Sequence, residues 1–297
     1  MSAGLGVKRG VIRHLGWLEA SALMVGSVLA VLVFLPAAWI LPWWQTDSVV
    51  LSNIEGSLWH GQTQITWRTA QGQLSLPGAW AWQFMAAGLW RGELAVQVRH
   101  PALSAGQPAR VIWRLGAQSS PASPTLGRLE ISAGSLILPA GVLQQLGAPW
   151  NTLQPAGELR ATWPSWSVSN TGRWLGQIQI EWHNAQTALS SIAPLGTYRC
   201  VFKPVGNLPE KPSHALSAQW TCETLSRDAP LILTLTGEAA QGVWNVQGQA
   251  QADVRYAAAL QNVLRFIGPP INEDSNLRRI QYPARAPMAE PLPAGQP

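Results

Sequence analysis

The sequence has little charge and almost no cysteine. Charged side chains make up 12% of the 297 residues, and the formal net charge is only +5. The cations are dispersed, which argues against a nucleic-acid partner, because such partners bind a clustered basic face. Cys200 and Cys222 lack the close spacing and the histidine neighbours of a redox or zinc site. In an oxidising compartment, this isolated pair predicts a disulfide.

The motifs of common catalytic and cofactor sites are also missing. The chain has no GxSxG elbow, no HExxH pair, no Walker loop and no GxGxxG after a predicted strand. Glu273 and Asp274 fall in a predicted turn, and Glu55 and Glu158 adjoin glycines at strand edges, where we expect solvated charge. The histidines have no metal-ligand spacing; they are His14, His60, His100, His183 and His214. The sequence therefore predicts no catalytic, cofactor-binding or metal-binding residues, and a protein that is not an enzyme.

A long apolar run stands near the N-terminus. Residues 20–44 carry no charge. At about 1.5 Å per residue the run is long enough to cross a hydrocarbon layer of roughly 30 Å, so it predicts one transmembrane helix. The alternative is a cleaved secretory signal, because residues 36–38, Pro-Ala-Ala, resemble a processing site. The run outlasts the apolar core of a signal peptide, which favours the retained anchor.

The basic residues around this run predict its orientation. Lys8, Arg9 and Arg13 precede it, and the next basic residue is Arg68. Since short cytoplasmic segments carry the excess of Lys and Arg, residues 1–19 are predicted to lie in the cytoplasm. The remainder of the chain is then expected on the other side of the membrane.

One nine-residue pattern occurs twice, at residues 59–67 and 174–182. Both copies read Trp-x-Gly-Gln-x-Gln-Ile-x-Trp and alternate with a period of two, as half-buried strands do. One face carries the Trp, Gly and Ile residues. The opposite face carries polar residues, which are His60, Gln62, Gln64 and Thr66 in the first copy and Gln177, Gln179 and Glu181 in the second. The pattern predicts two long strands in two related β units, with polar faces suited to contact.

Short strand signals continue along the chain and are separated by Pro, Gly and Ser clusters, which indicates antiparallel hairpins. We expect a mainly β fold, a curved antiparallel sheet domain after one transmembrane helix, with a first periplasmic unit at 45–150 and a second at 151–282. Two short helices are predicted, at residues 139–146 and 253–267. The tail, 283–297, holds five prolines in fifteen residues and is predicted to be disordered.

The residues after the apolar run resemble the start of type II secretion system protein N, the general secretion pathway protein N family. Its aliphatic, Gly, small, apolar, Trp, x, Gly block matches residues 54–61, and four further blocks follow in order at 155–159, 176–182, 193–198 and 260–282. The segment 104–124 and the tail match nothing in the family pattern. The positions that carry the resemblance are Gly56, Trp59, Gly61, Trp67, Gly176, Trp182, Pro194, Leu195 and Gly196.

The resemblance implies a non-catalytic accessory of the inner membrane, with its C-terminal domain in the periplasm, that supports export of folded proteins across the outer membrane. It also implies neighbours among the other inner-membrane platform proteins, the C, L and M subunits.

Two other functions fit the residues. A bridge-like lipid-binding module would need a continuous apolar groove, lined by residues such as Leu94, Val96, Ile178 and Ile180. A carbohydrate- or peptidoglycan-binding protein is suggested by the 17 Trp. That function requires exposed coplanar indoles, whereas alternation with Ile and Val favours Trp residues that pack within the sheets.

Overall fold

The computed structural model describes residues 20–27, 31, 34–68, 72–103, 108–114, 128–168, 174–205, 217–240, 243–271 and 276–282. The predicted cytoplasmic segment 1–19 and the predicted tail 283–297 lie outside these residues, as do parts of the apolar run 20–44 and of the segment 104–124. Within the described part of the chain, no helix is both long enough and apolar enough to cross a membrane.

Strands dominate the described residues and form two antiparallel sheets, which confirms the predicted mainly β fold. The first sheet contains β1 (Val49–Gly56), β2 (His60–Arg68), β3 (Gln73–Ser75), β4 (Trp80–Met85), β5 (Glu93–Arg99), β6 (Ala109–Arg114), β7 (Arg128–Ile131), β10 (Trp166–Val168) and β11 (Trp174–Leu175). The second contains β8 (Gly134–Pro139), β9 (Ala156–Trp163), β12 (Ile178–Gln186), β13 (Gly196–Val205), β14 (Ser217–Thr224), β15 (Leu231–Ala240), β16 (Val243–Ala252) and β17 (Leu277–Tyr282).

The order of strands shows that the chain passes between the sheets. The first sheet runs β1-β2-β4-β5-β6-β7-β10-β11, with β3 also paired to β2, and the second runs β17-β16-β15-β14-β13-β12-β9-β8. The chain therefore leaves the first sheet after β7, returns after β9 and leaves again after β11. The chain changes sheets both before and after residue 150, so the two sheets do not coincide with the expected units 45–150 and 151–282. The division into these units stays a prediction.

Helices are few and short in the described residues. Residues 20–27, 31 and 34 of the apolar run are helical. Further along the chain, the α-helices are α1 (Ala37–Ile40), α2 (Trp150–Leu153) and α3 (Gln261–Ile267), and the 3-10 helices are Leu41–Trp44, Ala86–Arg91, Ala140–Leu146 and Val254–Tyr256. The helix predicted at 139–146 is thus a 3-10 helix, and the one predicted at 253–267 is divided between Val254–Tyr256 and α3. Asp253 caps the first of these pieces, where its carboxylate accepts a hydrogen bond from the Arg255 N–H.

The first copy of the repeated pattern forms β2 and alternates as predicted. Thr63 is buried, whereas His60, Gln62 and Gln64 on the opposite face are exposed. Antiparallel pairing with β1 on one side and β4 on the other holds this strand inside the sheet. Its polar face therefore points away from the apolar face of the first sheet.

The prediction that the second copy is one strand is wrong. Trp174–Leu175 pairs with β10 in the first sheet, whereas Ile178 begins β12 in the second. Gly176, between them, has a φ of 151°, a conformation that favours glycine, and an added Cβ would lie closer than 3.0 Å to the Trp166 indole. That indole donates its N–H to the Gln177 carbonyl at 3.0 Å, so it holds the chain at the crossing.

A compact apolar core lies at one end of the second sheet, beneath α3. Its most buried members come from β15, β16 and α3 with the turns beside them; they are Leu195, Leu231, Ala250, Ala252, Leu260, Val263 and Leu264. α3 and its N-cap contribute Leu260, Val263 and Leu264, which have the spacing of one face of an amphipathic helix. Burial of these side chains fixes α3 against the sheet.

Candidate functional site

The exposed side of β1, β2, β4 and β5 forms a polar surface, here called the first polar face. It consists of Glu55, His60, Gln62, Gln64, Gln83, Gln97 and Arg99. The period of two brings these residues together, because Glu55 stands opposite Gln62, and Gln83 stands between His60 and Gln97. An open groove of about 390 Å³ runs along this face.

Hydrogen bonds within the first polar face orient its amides. The Gln62 amide donates to the Glu55 carboxylate at 2.7 Å, and the Asn53 amide donates to the Gln64 side-chain oxygen at 3.0 Å. Arg99 donates to the Gln97 side-chain oxygen at 3.3 Å. A glutamine has two donor hydrogens and an acceptor oxygen, so each keeps hydrogen-bonding capacity for a partner. The surface is therefore suited to recognition by uncharged polar groups.

One side of the second sheet carries a row of side chains of alternating charge, here called the charged row. It runs across four neighbouring strands through Arg160, Glu181, Arg199 and Glu223, which stand opposite one another. The Arg199 Nε donates to Glu181 Oε1 at 3.1 Å, and the His183 Nε2 lies 2.9 Å from Glu181 Oε2. Cross-strand pairs of opposite charge stabilise this register.

Glu181 is the centre of this row, and its side chain is only 17% exposed. Burial raises the pKa of Glu181, but the hydrogen bonds from Arg199 and His183 outweigh that effect and hold the pKa below its ordinary value. The carboxylate is thus ionised, and it is already held by the Arg199 guanidinium and the His183 ring. A carboxylate in this state is a poor general base, because its charge is stabilised by fixed donors.

The arrangement fits contact better than chemistry. Among the described residues, no three His, Cys, Asp or Glu side chains are grouped so that they could hold a metal ion. Glu158, which the sequence places at a strand edge, accepts a hydrogen bond from Arg160 at 3.1 Å. Glu55, Glu158 and Glu181 are thus each held by an amide, a guanidinium group or an imidazole of the same surface.

The family-motif residues of the first sheet build the turn between β1 and β2. Gly56 has a φ of 93°, and an added Cβ would meet the His60 carbonyl and the Gly61 Cα closer than 3.0 Å. The Trp59 ring packs edge-on against Phe84, with ring centroids 5.0 Å apart. Trp67 lies at the other end of β2 and packs edge-on against Trp80. These residues shape the end of the sheet and lie outside the groove floor, except for Gly56 and Gly61.

The family-motif residues of the second sheet form a buried corner before β13. Leu195 is 4% exposed and belongs to the apolar core, and Gly196 has a φ of 147°. The Tyr198 hydroxyl lies 3.1 Å from the Leu195 carbonyl and 2.9 Å from the Leu231 carbonyl. Burial raises the pKa of Tyr198, so the hydroxyl keeps its proton and acts as a donor. Pro194, which precedes this corner, follows a cis peptide bond.

Among the described residues, some Trp side chains pack on glycines, a pairing that the sequence did not reveal. In four places an indole lies on a glycine of a neighbouring strand or turn, where an added Cβ would come closer than 3.0 Å to the ring; the pairs are Trp82 with Gly61, Trp163 with Gly134, Trp166 with Gly176 and Trp220 with Gly237. An aromatic ring that covers a glycine shields the exposed backbone of the sheet. These rings are engaged within their sheets, while carbohydrate binding stays an untested prediction.

Trp182 closes the corner in another way. Its indole N–H donates to the Ala156 carbonyl at 2.9 Å, and its ring lies 6.1 Å from Tyr198. This contact joins β12 to the start of β9.

Cys200 and Cys222 stand directly opposite each other on β13 and β14 and are paired as a disulfide. They lie on the apolar side of the second sheet, since Cys200 also faces Ile180 and Cys222 faces Leu235. The bond thus joins neighbouring strands within one sheet and lies away from the first polar face and from the charged row.

The polar residues that sequence reasoning missed are Gln83, Gln97, Arg99 and Arg199. Each belongs to a strand whose alternation was visible, but their meeting depends on which strands are neighbours. A signal did exist in β5, where Leu94, Val96 and Val98 alternate with the polar positions. It predicted a polar side for that strand without identifying its partners.

The family model described as type II secretion system (T2SS), protein N, matches residues 47–277. No curated protein and no solved structure matches the chain. The matched range begins just after the apolar run and includes the residues of the first polar face and of the charged row.

Proposed function

We propose, from the premise that this chain belongs to the type II secretion system protein N family, that it is a non-catalytic scaffold of the secretion machine in the inner membrane. The family match makes the chain a component of type II protein secretion. The scaffold role is supported by its two sheets, whose polar faces carry paired amides and charges. Such faces offer a large contact area without a reacting centre.

The observation that carries the scaffold role is the first polar face. Its groove is open, the amides of Gln62, Gln83 and Gln97 contribute to its lining, and hydrogen bonds hold Gln62 to Glu55 and Gln97 to Arg99. Preorganised side chains lose less conformational entropy when a partner binds. The face therefore fits a protein partner that presents main-chain or side-chain amides.

Membrane attachment is part of the same proposal. The uncharged residues 20–44 serve as the anchor, residues 1–19 stay in the cytoplasm and the sheets lie in the periplasm. The C, L and M subunits of the inner-membrane platform are the proposed partners, as the family resemblance implies. A bound lipid would be compatible with this location.

Deletion of the chain tests the scaffold role. We expect secretion of folded proteins into the medium to fall, while the same proteins still reach the periplasm, because only the second step uses this machine. The measurement compares periplasmic and extracellular enzyme activity in wild-type, deleted and complemented cells. Normal extracellular activity in the deleted strain would refute an essential role.

Crosslinking identifies the partner of the first polar face. A photoreactive amino acid at position 60, 62 or 64 replaces an exposed side chain and is expected to give a discrete crosslinked product in cells. Gln144 provides a matched control, because it is also exposed but lies on the 3-10 helix Ala140–Leu146, outside this face. Equal crosslinking from position 144 would show that the face has no preferred partner.

Lipid binding is a second candidate, favoured by incomplete burial of the apolar sides of the sheets. Leu94 and Val96 in the first sheet and Ile178 and Ile180 in the second are all half-buried. Apolar side chains in this state leave area that an acyl chain would cover. Native mass spectrometry of the full chain should then detect bound lipid, and a chain purified gently from membranes without any lipid would count against this candidate.

A further inference from the structure

The first sheet ends in an exposed apolar turn, here called the tip, which is the 3-10 helix Ala86–Arg91 between β4 and β5. Trp90 is 94% exposed and Leu89 is 47% exposed, and the cation Arg91 follows them. Gly92, in the left-handed conformation, ends the helix and turns the chain back into β5. Exposure of an indole and a neighbouring leucine to water is unfavourable, and a partner that covers the tip would remove this apolar area from water.

The tip lies at the corner where β1 turns into β2. The His60 end of β2 pairs with Gln83 near the end of β4, and the Phe84 N–H donates to the Trp59 carbonyl at 2.6 Å. Since β4 leads directly into the tip, these contacts place the tip at the end of the sheet that carries the β1–β2 turn. The opposite end of β2, at Arg68, pairs with β3.

The apolar N-terminal run reaches the sheet at this same corner. The Leu58 N–H donates to the Leu35 carbonyl at 2.9 Å, and Pro36 forms a β-bridge with Ser57. Among the described residues before this contact are exposed apolar side chains, such as Leu23 and Phe34 with exposures of 73% and 78%. Phe34 directly precedes Leu35, which is bonded to the corner. Any partner that covers Phe34 therefore also lies close to the corner.

The composition of the tip matches the boundary layer of a bilayer. Trp combines an apolar ring with an N–H donor and concentrates at membrane interfaces, whereas Arg binds the phosphate of lipid headgroups. Arg114, at the same end of the sheet, is already paired with Glu93 and Glu130 at 3.1 Å. Arg91, in contrast, follows the exposed Trp90 directly. A bilayer would cover the tip and the apolar run together, because both lie at the same corner of the first sheet.

We infer that Leu89 and Trp90 insert into the interfacial layer of the bilayer that holds the part of the apolar run before Leu35, with Arg91 on its anionic headgroups. This inference rests on the proposed membrane attachment. The tip is then a second, peripheral contact that sets the tilt of the first sheet. The contact fixes which way the first polar face points above the membrane.

A fluorescent label on the full chain in vesicles tests the inference. An environment-sensitive dye is attached to Ala87→Cys without reductant, because Cys200 and Cys222 are joined. The vesicles contain phosphatidylethanolamine and phosphatidylglycerol, and some lipids carry a quencher near the headgroup. We expect blue-shifted emission and strong quenching at position 87. The same dye on Gln73→Cys, at the opposite end of the sheet, should report water.

Substitutions at the tip separate insertion from a general effect on the protein. Trp90→Ser should abolish most of the quenching at position 87, and Arg91→Gln should remove its dependence on phosphatidylglycerol. Phe266→Ser changes an exposed aromatic residue on α3 of the second sheet, 41% exposed, and should leave the signal unchanged. Far-UV circular dichroism checks that each variant is folded.

Alkaline extraction of the same vesicles distinguishes the two proposals. A chain that resists extraction but has a water-exposed label at position 87 would overturn the tip contact and leave the anchor intact. Extraction of the whole chain would overturn the membrane attachment, and the tip inference with it.

Discussion

At the residue scale, the chain uses its Trp and Gly residues as matched partners. Gly61 faces Trp82 across β2 and β4, and the Trp82 indole N–H donates to the Leu58 carbonyl at 3.1 Å. The ring thus covers the strand and satisfies a carbonyl of the adjoining turn. This double role explains why a protein with few charges holds so many indoles: an indole fills the space that a glycine leaves open.

Gly61→Ala should destabilise the protein by about 1–3 kcal/mol, because the added Cβ overlaps the Trp82 ring and the Glu55 carbonyl. Gly61 does not have a positive φ, so the effect would be steric. Gly141→Ala is the control, since nothing lies closer than 3.8 Å to its added Cβ. Urea denaturation followed by Trp fluorescence measures both, and equal stability of the two variants would contradict the Trp–Gly pairing.

His100 makes the stability dependent on pH. It is 6% exposed, its ring stacks on Trp80 with centroids 4.3 Å apart, and its Nδ1 accepts a hydrogen bond from the Ala102 N–H. Burial lowers the pKa of His100, and the backbone of Gly78 opposes this effect only in part. The neutral ring therefore stabilises the fold fully above the unfolded value of about 6.5, and this stability is lost as the pH falls below it.

Thermal unfolding at a series of pH values measures this effect. His100→Leu should lose the part of the pH dependence that lies below about pH 6.5, whereas His60→Gln, a change on the exposed polar face, should keep it. Parallel curves for wild type and His100→Leu would show that His100 is protonated equally in both states.

At the scale of elements, the second sheet is joined within itself by the disulfide between β13 and β14. The two cysteines are direct cross-strand neighbours and stand in an apolar row with Ile180 and Leu235. The chain between these strands includes residues outside the described part. The bond limits how far the two strands separate in the unfolded chain, so its effect on stability comes mainly from that state.

Removal of the disulfide should lower the stability by about 3 kcal/mol, as expected for a closed loop of this length. For a protein of this size, that change corresponds to a fall in Tm of roughly 5–10 °C. The double variant Cys200→Ala with Cys222→Ala and the reduced wild type should behave alike in a thermal scan. A Tm that does not respond to reductant, together with two titratable thiols, would show that the bond does not form in the protein.

At the scale of the whole molecule, the two sheets share the chain in an interleaved order. β8 and β9 belong to the second sheet, although β10 and β11, which follow them, belong to the first. A cut near residue 150 would separate β8 from β9 and β7 from β10, two pairs of hydrogen-bonded neighbours. Each half would then expose an unpaired edge strand.

Fragments 1–150 and 151–297 should therefore fail to fold when they are produced separately. Limited proteolysis and unfolding curves of each fragment measure this outcome. The control is the folded chain nicked between Val205 and Ser217, because the pairing of β13 with β14 and the bond between Cys200 and Cys222 should keep the two pieces associated. Protease resistance and cooperative unfolding of both separate halves would instead support two independent units.

Much of the fold followed from local patterns. Alternation in β2 and β5 predicted strands with one polar side, and α3 ends at Ile267, where the predicted helix 253–267 was expected to end. The second copy of the repeat gave the wrong prediction of a single strand, because its period of two continues through Gly176 although the chain changes sheets there. Sequence spacing contains no information on whether Trp166 lies against that glycine. The same limit kept Gln83 and Arg99 from being assigned to the first polar face.

The sequence by itself determined the β-rich class, the family and the presence of polar strand faces, because composition and short-range alternation follow from the chemistry of neighbouring residues. Only the tertiary structure decided which strands became neighbours, that Glu181 and Arg199 pair, and that the tip meets the corner reached by the N-terminal run. Those arrangements depend on hydrogen bonds between strands far apart in the chain. Such pairings are selected by the packing of the whole molecule, and no local segment specifies them.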